Sequence, residues 1–205
     1  MRKLILLIGP TCTGKSTLEK ELNRRGVPSV VSYTTRKPRS SETDGVDYDF
    51  LTEADVQLLE SQNKVVQKVC FAGNYYGSTT MAIERAFATS DVAVIVVEPT
   101  GLTQFKEYAD HVGDIEIVSV YIHNDLRLLT TRLVERYESD DNADPAYYWR
   151  RFIDMRQQYQ DWPRYDSWSV YIAGLDESFH INHAVRKDVH TIETAADHII
   201  ASCSR

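Results

Sequence analysis

Gly9-Pro10-Thr11-Cys12-Thr13-Gly14-Lys15-Ser16-Thr17 decides the fold. The stretch fits G-x-x-x-x-G-K-S/T, a spacing whose backbone N–H groups cradle a phosphate. Before it, Leu4-Ile5-Leu6-Leu7-Ile8 is an unbroken apolar run, the pattern of a strand buried on both faces of a parallel sheet. After it, Thr17-Leu18-Glu19-Lys20-Glu21-Leu22-Asn23-Arg24-Arg25-Gly26 is rich in helix formers, with arginines near its end and a glycine stop. Gly9 and Gly14 let the chain turn its amides inward, and the helix that follows adds the positive end of its dipole. Lys15 is expected to reach the β- and γ-phosphates of ATP, and the Ser16 hydroxyl to ligate Mg²⁺. Gly9 through Thr17 are therefore the candidate ATP-binding residues.

The 205 residues suit one domain with a real core, at 42% hydrophobic and 26% charged residues. No apolar run approaches the roughly 18 residues of a membrane span. The first apolar run leads straight into the glycine loop, so a secretory leader is not expected. Cys12, Cys70 and Cys203 lack metal-ligand spacing, and reduced thiols in a cytoplasm are expected, with Cys12 filling a tight turn. A net charge of −7 argues against a general nucleic-acid binder. An anionic substrate must then be drawn by local basic clusters.

One such cluster lies in Val31-Ser32-Tyr33-Thr34-Thr35-Arg36-Lys37-Pro38-Arg39. Val30 and Val31 look like the end of a second strand, and Lys37-Pro38 and Asp44-Gly45 are turn signals. Arg36 and Arg39 bracket a stiff proline, and paired guanidinium forks suit a phosphate dianion as well as they suit an exposed basic turn. Further on, Gly73-Asn74 marks a turn within Phe71-Ala72-Gly73-Asn74-Tyr75-Tyr76-Gly77-Ser78-Thr79. Asp91-Val92-Ala93-Val94-Ile95-Val96-Val97-Glu98 reads as a buried strand, and its carboxyl end is where open α/β sheets bind ligands. A strand over Ile115–Ile122 leads into a helix from about Asp125 to Tyr137, on which Arg132 and Arg136 share one face. A second helix, from about Pro145 to Gln160, carries Arg150 and Arg151.

The glycine loop, Ser-Tyr-Thr-Thr-Arg-Lys-Pro-Arg at 32–39, Asp-Gly-Val-Asp-Tyr-Asp-Phe at 44–50 and Gly-Asn-Tyr-Tyr-Gly-Ser at 73–78, in this order, resemble the guanylate kinase family. The resemblance is strong from residue 3 to about 101 and thinner to about 166. It implies that Arg36, Arg39, Tyr48 and Tyr76 hold the acceptor's phosphate, and that Ser32, Ser78 and Glu98 contact its base. It also implies that Arg132, Arg136 and Arg151 form a lid that joins Lys15 and Arg36 in catalysis. Two positions depart from the family. Gln67 stands where a glutamate reads guanine, and Val96 stands where an acid near the metal is common.

The resemblance implies an α/β fold: a P-loop NTPase core of three αβα layers with a parallel sheet. The core covers 1–32, 90–130 and 165–205, the mixed α/β nucleotide-monophosphate lobe 33–89, and the helical lid about 131–160. The expected activity is ATP-dependent phosphorylation of GMP or dGMP with Mg²⁺, with nucleotides as partners and neither nucleic acid nor membrane. A kinase of the same fold for another or modified nucleoside monophosphate, and a non-catalytic scaffold, are the alternatives. Beyond Trp162, Ser169–Ile172 and Phe179–Asn182 alternate like strands, and Thr191–Ser202 reads as a helix. His180, His183 and His190 are expected to be surface histidines, since no carboxylate or cysteine completes a ligand set.

Overall fold

The computed structural model describes residues 1–38, 42–71, 73–140, 143–162, 170–173 and 192–204. In chain order its elements are β1 (Arg2–Ile8), α1 (Lys15–Arg24), β2 (Tyr33–Thr34), β3 (Asp49–Phe50), α2 (Glu53–Ser61), β4 (Val65–Phe71), β5 (Asn74–Thr79) and α3 (Thr80–Phe87). They continue as β6 (Val92–Val96), α4 (Pro99–Val112), β7 (Ile115–His123), α5 (Leu126–Glu138), α6 (Pro145–Asp161), β8 (Val170–Ala173) and α7 (Ile192–Cys203). The chain falls into two compact units, Met1–Leu6 with Leu22–Ile117, and Leu7–Glu21 with Val118–Arg205.

A four-stranded sheet runs in the order β6-β1-β7-β8. Leu4 to Ile8 are fully buried, as an unbroken apolar run requires of a strand covered on both faces. β7 and β8 are parallel, with Val120 opposite Val170 and Ile122 opposite Ile172. α7 buries Ile192, Ala195 and Ile199, one face of its turns. The expected strand end at Val30 and Val31 is instead a single parallel bridge, Ser29 to Val94. Val30 N–H donates to Val94 O at 2.8 Å and Val94 N–H to Pro28 O at 2.9 Å. Pro28 has no N–H to extend the ladder, so pairing stops there. The expected strand over Phe179–Asn182, with His180, His183 and His190, lies outside the described residues.

The second sheet belongs to the first unit and runs β3-β2-β5-β4. β2 is parallel to β3 and antiparallel to β5, and β5 is antiparallel to β4, which sets Gln67 opposite Ser78. Gly77 allows this sheet to close. A Cβ there would lie 1.9 Å from Gln67 O and 2.6 Å from the Tyr33 hydroxyl, so no side chain fits. The buried Tyr33 phenol donates to Gln67 O at 3.3 Å, and burial pushes its pKa up. α2 begins with a reciprocal cap: Thr52 Oγ1 accepts from Asp55 N–H at 3.1 Å, and the Asp55 carboxylate accepts from Thr52 N–H at 2.9 Å. The Thr52 hydroxyl, which also donates to the Asp55 carboxylate, and then the Thr52 N–H hold that carboxyl below its ordinary range. α4 adds a helix that the sequence pattern did not announce, with Pro99 in its first turn and Gly113 at φ 80° just past its end. No helix among the described residues is long and apolar enough to cross a membrane.

Candidate active site

The glycine loop lies wholly in the second unit, between β1 and α1. A Cβ on Gly9 would sit 2.4 Å from Ile122 O, so the loop leaves its strand at a point that only glycine can occupy. Cys12 has φ +65°, a left-handed backbone that costs a residue with a Cβ about 1–2 kcal/mol. Its surroundings offset that cost. The Cys12 side chain packs among Leu129, Leu133 and Met155, and Arg132 Nη1 donates to Cys12 O at 2.9 Å. Neighbouring carbonyls are held the same way: Thr13 Oγ1 donates to Pro10 O at 2.9 Å and Asn124 Nδ2 to Thr13 O at 3.2 Å. Side chains thus take several of the loop's carbonyls, the arrangement that leaves amides other than the Thr11 N–H for an anion. Lys15 Nζ folds back to donate to Gly9 O at 2.6 Å and Pro10 O at 2.7 Å.

The helical arginines differ in their surroundings. Arg132 on α5 is buried against the loop, whereas Arg136 one turn later is exposed. The Tyr148 hydroxyl donates to Arg136 O at 3.3 Å. Arg151 on α6 donates from Nη1 to the Tyr147 hydroxyl at 2.9 Å and lies 5.5 Å from that ring's centroid, while its buried Nε has no hydrogen-bond partner. From the same helix, Gln158 Oε1 accepts the Thr11 N–H at 3.1 Å.

The acceptor candidates lie in the first unit. Arg36 follows β2 and makes a bidentate pair with Glu42, both N–O distances being 2.8 Å. Its guanidinium carbon stands 5.5 Å from the Tyr48 ring centroid and 5.8 Å from that of Phe50. Glu42 first, and Tyr76 after it, raise the Arg36 pKa further, so the fork is fully charged. Tyr48 and Tyr76 meet edge-on with centroids 6.1 Å apart. Arg39 lies outside the described residues.

Gln67 on β4 is 7% exposed and Ser78 opposite it is fully buried. Among the described residues the Ser78 Oγ has no hydrogen-bond partner. The Gln67 carboxamide rests on Gly101 of α4, where a Cβ would lie 2.7 Å from Nε2. Gln104, three residues further along that helix, buries an Oε1 that also lacks a partner. Ser32 is half-buried just before β2, and Glu98 is exposed at the N-cap of α4 without capping it through its side chain. Val96 closes β6, half-buried.

Sequence reasoning missed Gln104, Asn124, Gln158 and the Glu42 partner of Arg36. Glu42 had a usable signal, the first acid after a basic cluster. The two glutamines and the asparagine had none, because their roles come from elements that meet only in the fold.

A family model described as guanylate kinase matches residues 1–177. The chain belongs to the guanylate kinase family. A guanylate kinase of Schizosaccharomyces pombe is 38% identical over 107 residues, covering 51% of this chain and 53% of that protein, so the chain spans about half the length of that relative. A guanylate kinase of Synechocystis is 29% identical over 180 residues, covering 87% of this chain and 90% of that one. Among solved structures, a guanylate kinase from Anaplasma phagocytophilum superposes with a TM-score of 0.64 at 20% identity, over 99% of this chain and 85% of that one. That superposition fixes the fold as the α/β P-loop NTPase type.

Among the described residues no group of three or more His, Cys, Asp or Glu could hold a metal. The exposed Ser16 hydroxyl is a hard oxygen suited to Mg²⁺, which takes most of its ligands from phosphates and water. The donor set therefore fits Mg²⁺, provided that it arrives with the nucleotide.

Proposed function

We propose that this guanylate kinase family member transfers the γ-phosphoryl group of ATP to a guanine nucleoside monophosphate, GMP or dGMP. The observation that supports this best is the fully buried Ser78 hydroxyl, unpartnered and opposite the buried Gln67 carboxamide. Buried polar atoms are rarely left unsatisfied, and a purine edge supplies the partner that the Ser78 hydroxyl lacks. Arg36, with Arg39, Tyr48 and Tyr76, would take the monophosphate through charge-assisted bonds. Ser32 and Glu98 would complete the contacts to the base.

The loop from Gly9 to Thr17 would bind the triphosphate through its amides, and Lys15 would leave Gly9 O and Pro10 O for the phosphates. Arg132, Arg136 and Arg151 would add positive charge to the transferring group. Mg²⁺, held by Ser16 and the phosphates, would supply further charge neutralisation. No general base is required, because the acceptor phosphate is already an anionic nucleophile, and catalysis is positioning and electrostatics. Cys12, Cys70 and Cys203, none of them in a disulfide, and the use of ATP fit a cytoplasmic setting.

Gln67 favours one refinement. A carboxamide offers one acceptor where a carboxylate offers two, so guanine is preferred with relaxed rather than strict selectivity. An ADP-release assay across the ribo- and deoxyribonucleoside monophosphates tests the whole. GMP and dGMP should be fastest, with measurable turnover of another purine. Absence of acceptor-dependent ADP release, or a pyrimidine preference, defeats it.

A further inference from the structure

We infer that Gln158 is a positioning residue for the donor nucleotide, holding the corner of the glycine loop in its binding shape from helix α6. The inference takes the donor, ATP, from the function proposed above. Two adjacent residues of the loop are gripped from two helices. Thr11 N–H is taken by Gln158 Oε1 at 3.1 Å, and Cys12 O is taken by Arg132 Nη1 at 2.9 Å. Between them the backbone makes its left-handed turn at Cys12, φ +65°.

The contact from α6 is anchored rather than incidental. Met155 on the same helix is fully buried in the cluster that contains the Cys12 side chain, with Phe152 and Tyr159 packed against it. Gln158 lies three residues from Met155 and seven from Arg151, so all three share a helical face. One rigid element therefore sets the Thr11 amide and carries a lid arginine. Carboxamide chemistry suits the place: its oxygen holds an N–H with no negative charge of its own near the incoming phosphates. The fixed loop then does not have to be ordered when ATP arrives, which is where affinity is gained.

The test uses full-length protein and the variants Gln158→Met, which has no comparable acceptor, and Gln158→Glu, which keeps an acceptor oxygen. ATP binding is measured by calorimetry with Mg²⁺, alongside steady-state kinetics, thermal unfolding and the exchange rate of the Thr11 amide in nucleotide-free protein. In Gln158→Met, the ATP Kd and the KM for ATP should rise about five- to tenfold, with KM for the acceptor little changed. The Thr11 amide should exchange faster while the unfolding temperature holds. Gln158→Glu should recover the amide protection, while its negative charge near the phosphates leaves ATP affinity below that of the parent. Unchanged ATP affinity in Gln158→Met overturns the inference, as does a Gln158→Glu variant that fails to restore the protection of the Thr11 amide. A fall in unfolding temperature with equal losses for both substrates overturns it too. Failure of the wild-type chain to bind ATP would instead defeat the functional proposal.

Discussion

Lys15 donates to two carbonyls of its own loop, at 2.6 and 2.7 Å, and an arriving phosphate would replace those bonds. Both carbonyls can be hydrated once the ammonium is gone. Lys15→Ala should therefore abolish phosphoryl transfer with little change in unfolding temperature, and near-normal turnover would remove Lys15 from the machinery. Arg36 starts from a tighter arrangement, the bidentate pair with Glu42. A charge-assisted bond to phosphate is worth about 1.5–3 kcal/mol, so Arg36→Ala should weaken GMP binding about ten- to hundredfold and ATP binding hardly at all. Equal losses for both, measured by calorimetry, would make Arg36 structural. At Gln67 the exchange of a charged for a neutral hydrogen bond is worth about 1 kcal/mol. Gln67→Glu should raise the preference for GMP over IMP or AMP about five- to tenfold in kcat/KM ratios, and an unmoved ratio would mean that the side chain does not read the base. Residues of the glycine loop were legible from spacing alone. The state of Ser78 was not, since its buried, unpartnered hydroxyl appears only once β4 and β5 are paired.

Elements with a strong local period were legible almost to their ends. β1, α5 and α6 all fall within a few residues of their sequence expectation, because apolar runs and helical spacing are local signals. α4 escaped because Pro99 and Gly101 read as breakers, although proline is well tolerated in a first turn. The bridge at Ser29 escaped because it depends on Val94, far away in the chain. The hairpin of β4 and β5 depends on one small residue. Gly77→Ala would drive a methyl to within 1.9 Å of Gln67 O, so the strands must part beneath the Gln67–Ser78 pair. A loss of several kcal/mol is expected in denaturant unfolding, with GMP binding falling before ATP binding. An Ala variant as stable as the parent would show that the sheet yields easily there. The cap of α2 is a milder case: Thr52→Ala removes one of its two reciprocal bonds and should cost about 1 kcal/mol by the same measurement.

For the molecule as a whole, one group that couples pH to stability is a histidine that no local pattern singles out. His123 closes β7, its ring stacked with Tyr121 at 6.3 Å and with Tyr159 at 5.1 Å between centroids. Burial lowers its pKa below the ordinary value, and Asp125 opposes that shift only in part. Below about pH 6.5 the unfolded chain takes up a proton that the folded chain resists, so stability falls as the pH drops through that window. His123→Phe should flatten this acid-side decline, read from urea midpoints between pH 8 and pH 5.5, and an unchanged slope would place the sensitivity elsewhere. The three thiols divide just as unevenly. Cys12 is shut inside the loop's apolar cluster, Cys203 is half-covered, and Cys70 is open to solvent on β4. Strand alternation puts Cys70 on the face opposite Gln67, three residues away. A maleimide dye should therefore attach to Cys70 first, leaving the base pocket clear, and its emission would then follow a nucleotide's arrival from the far side of the same strand.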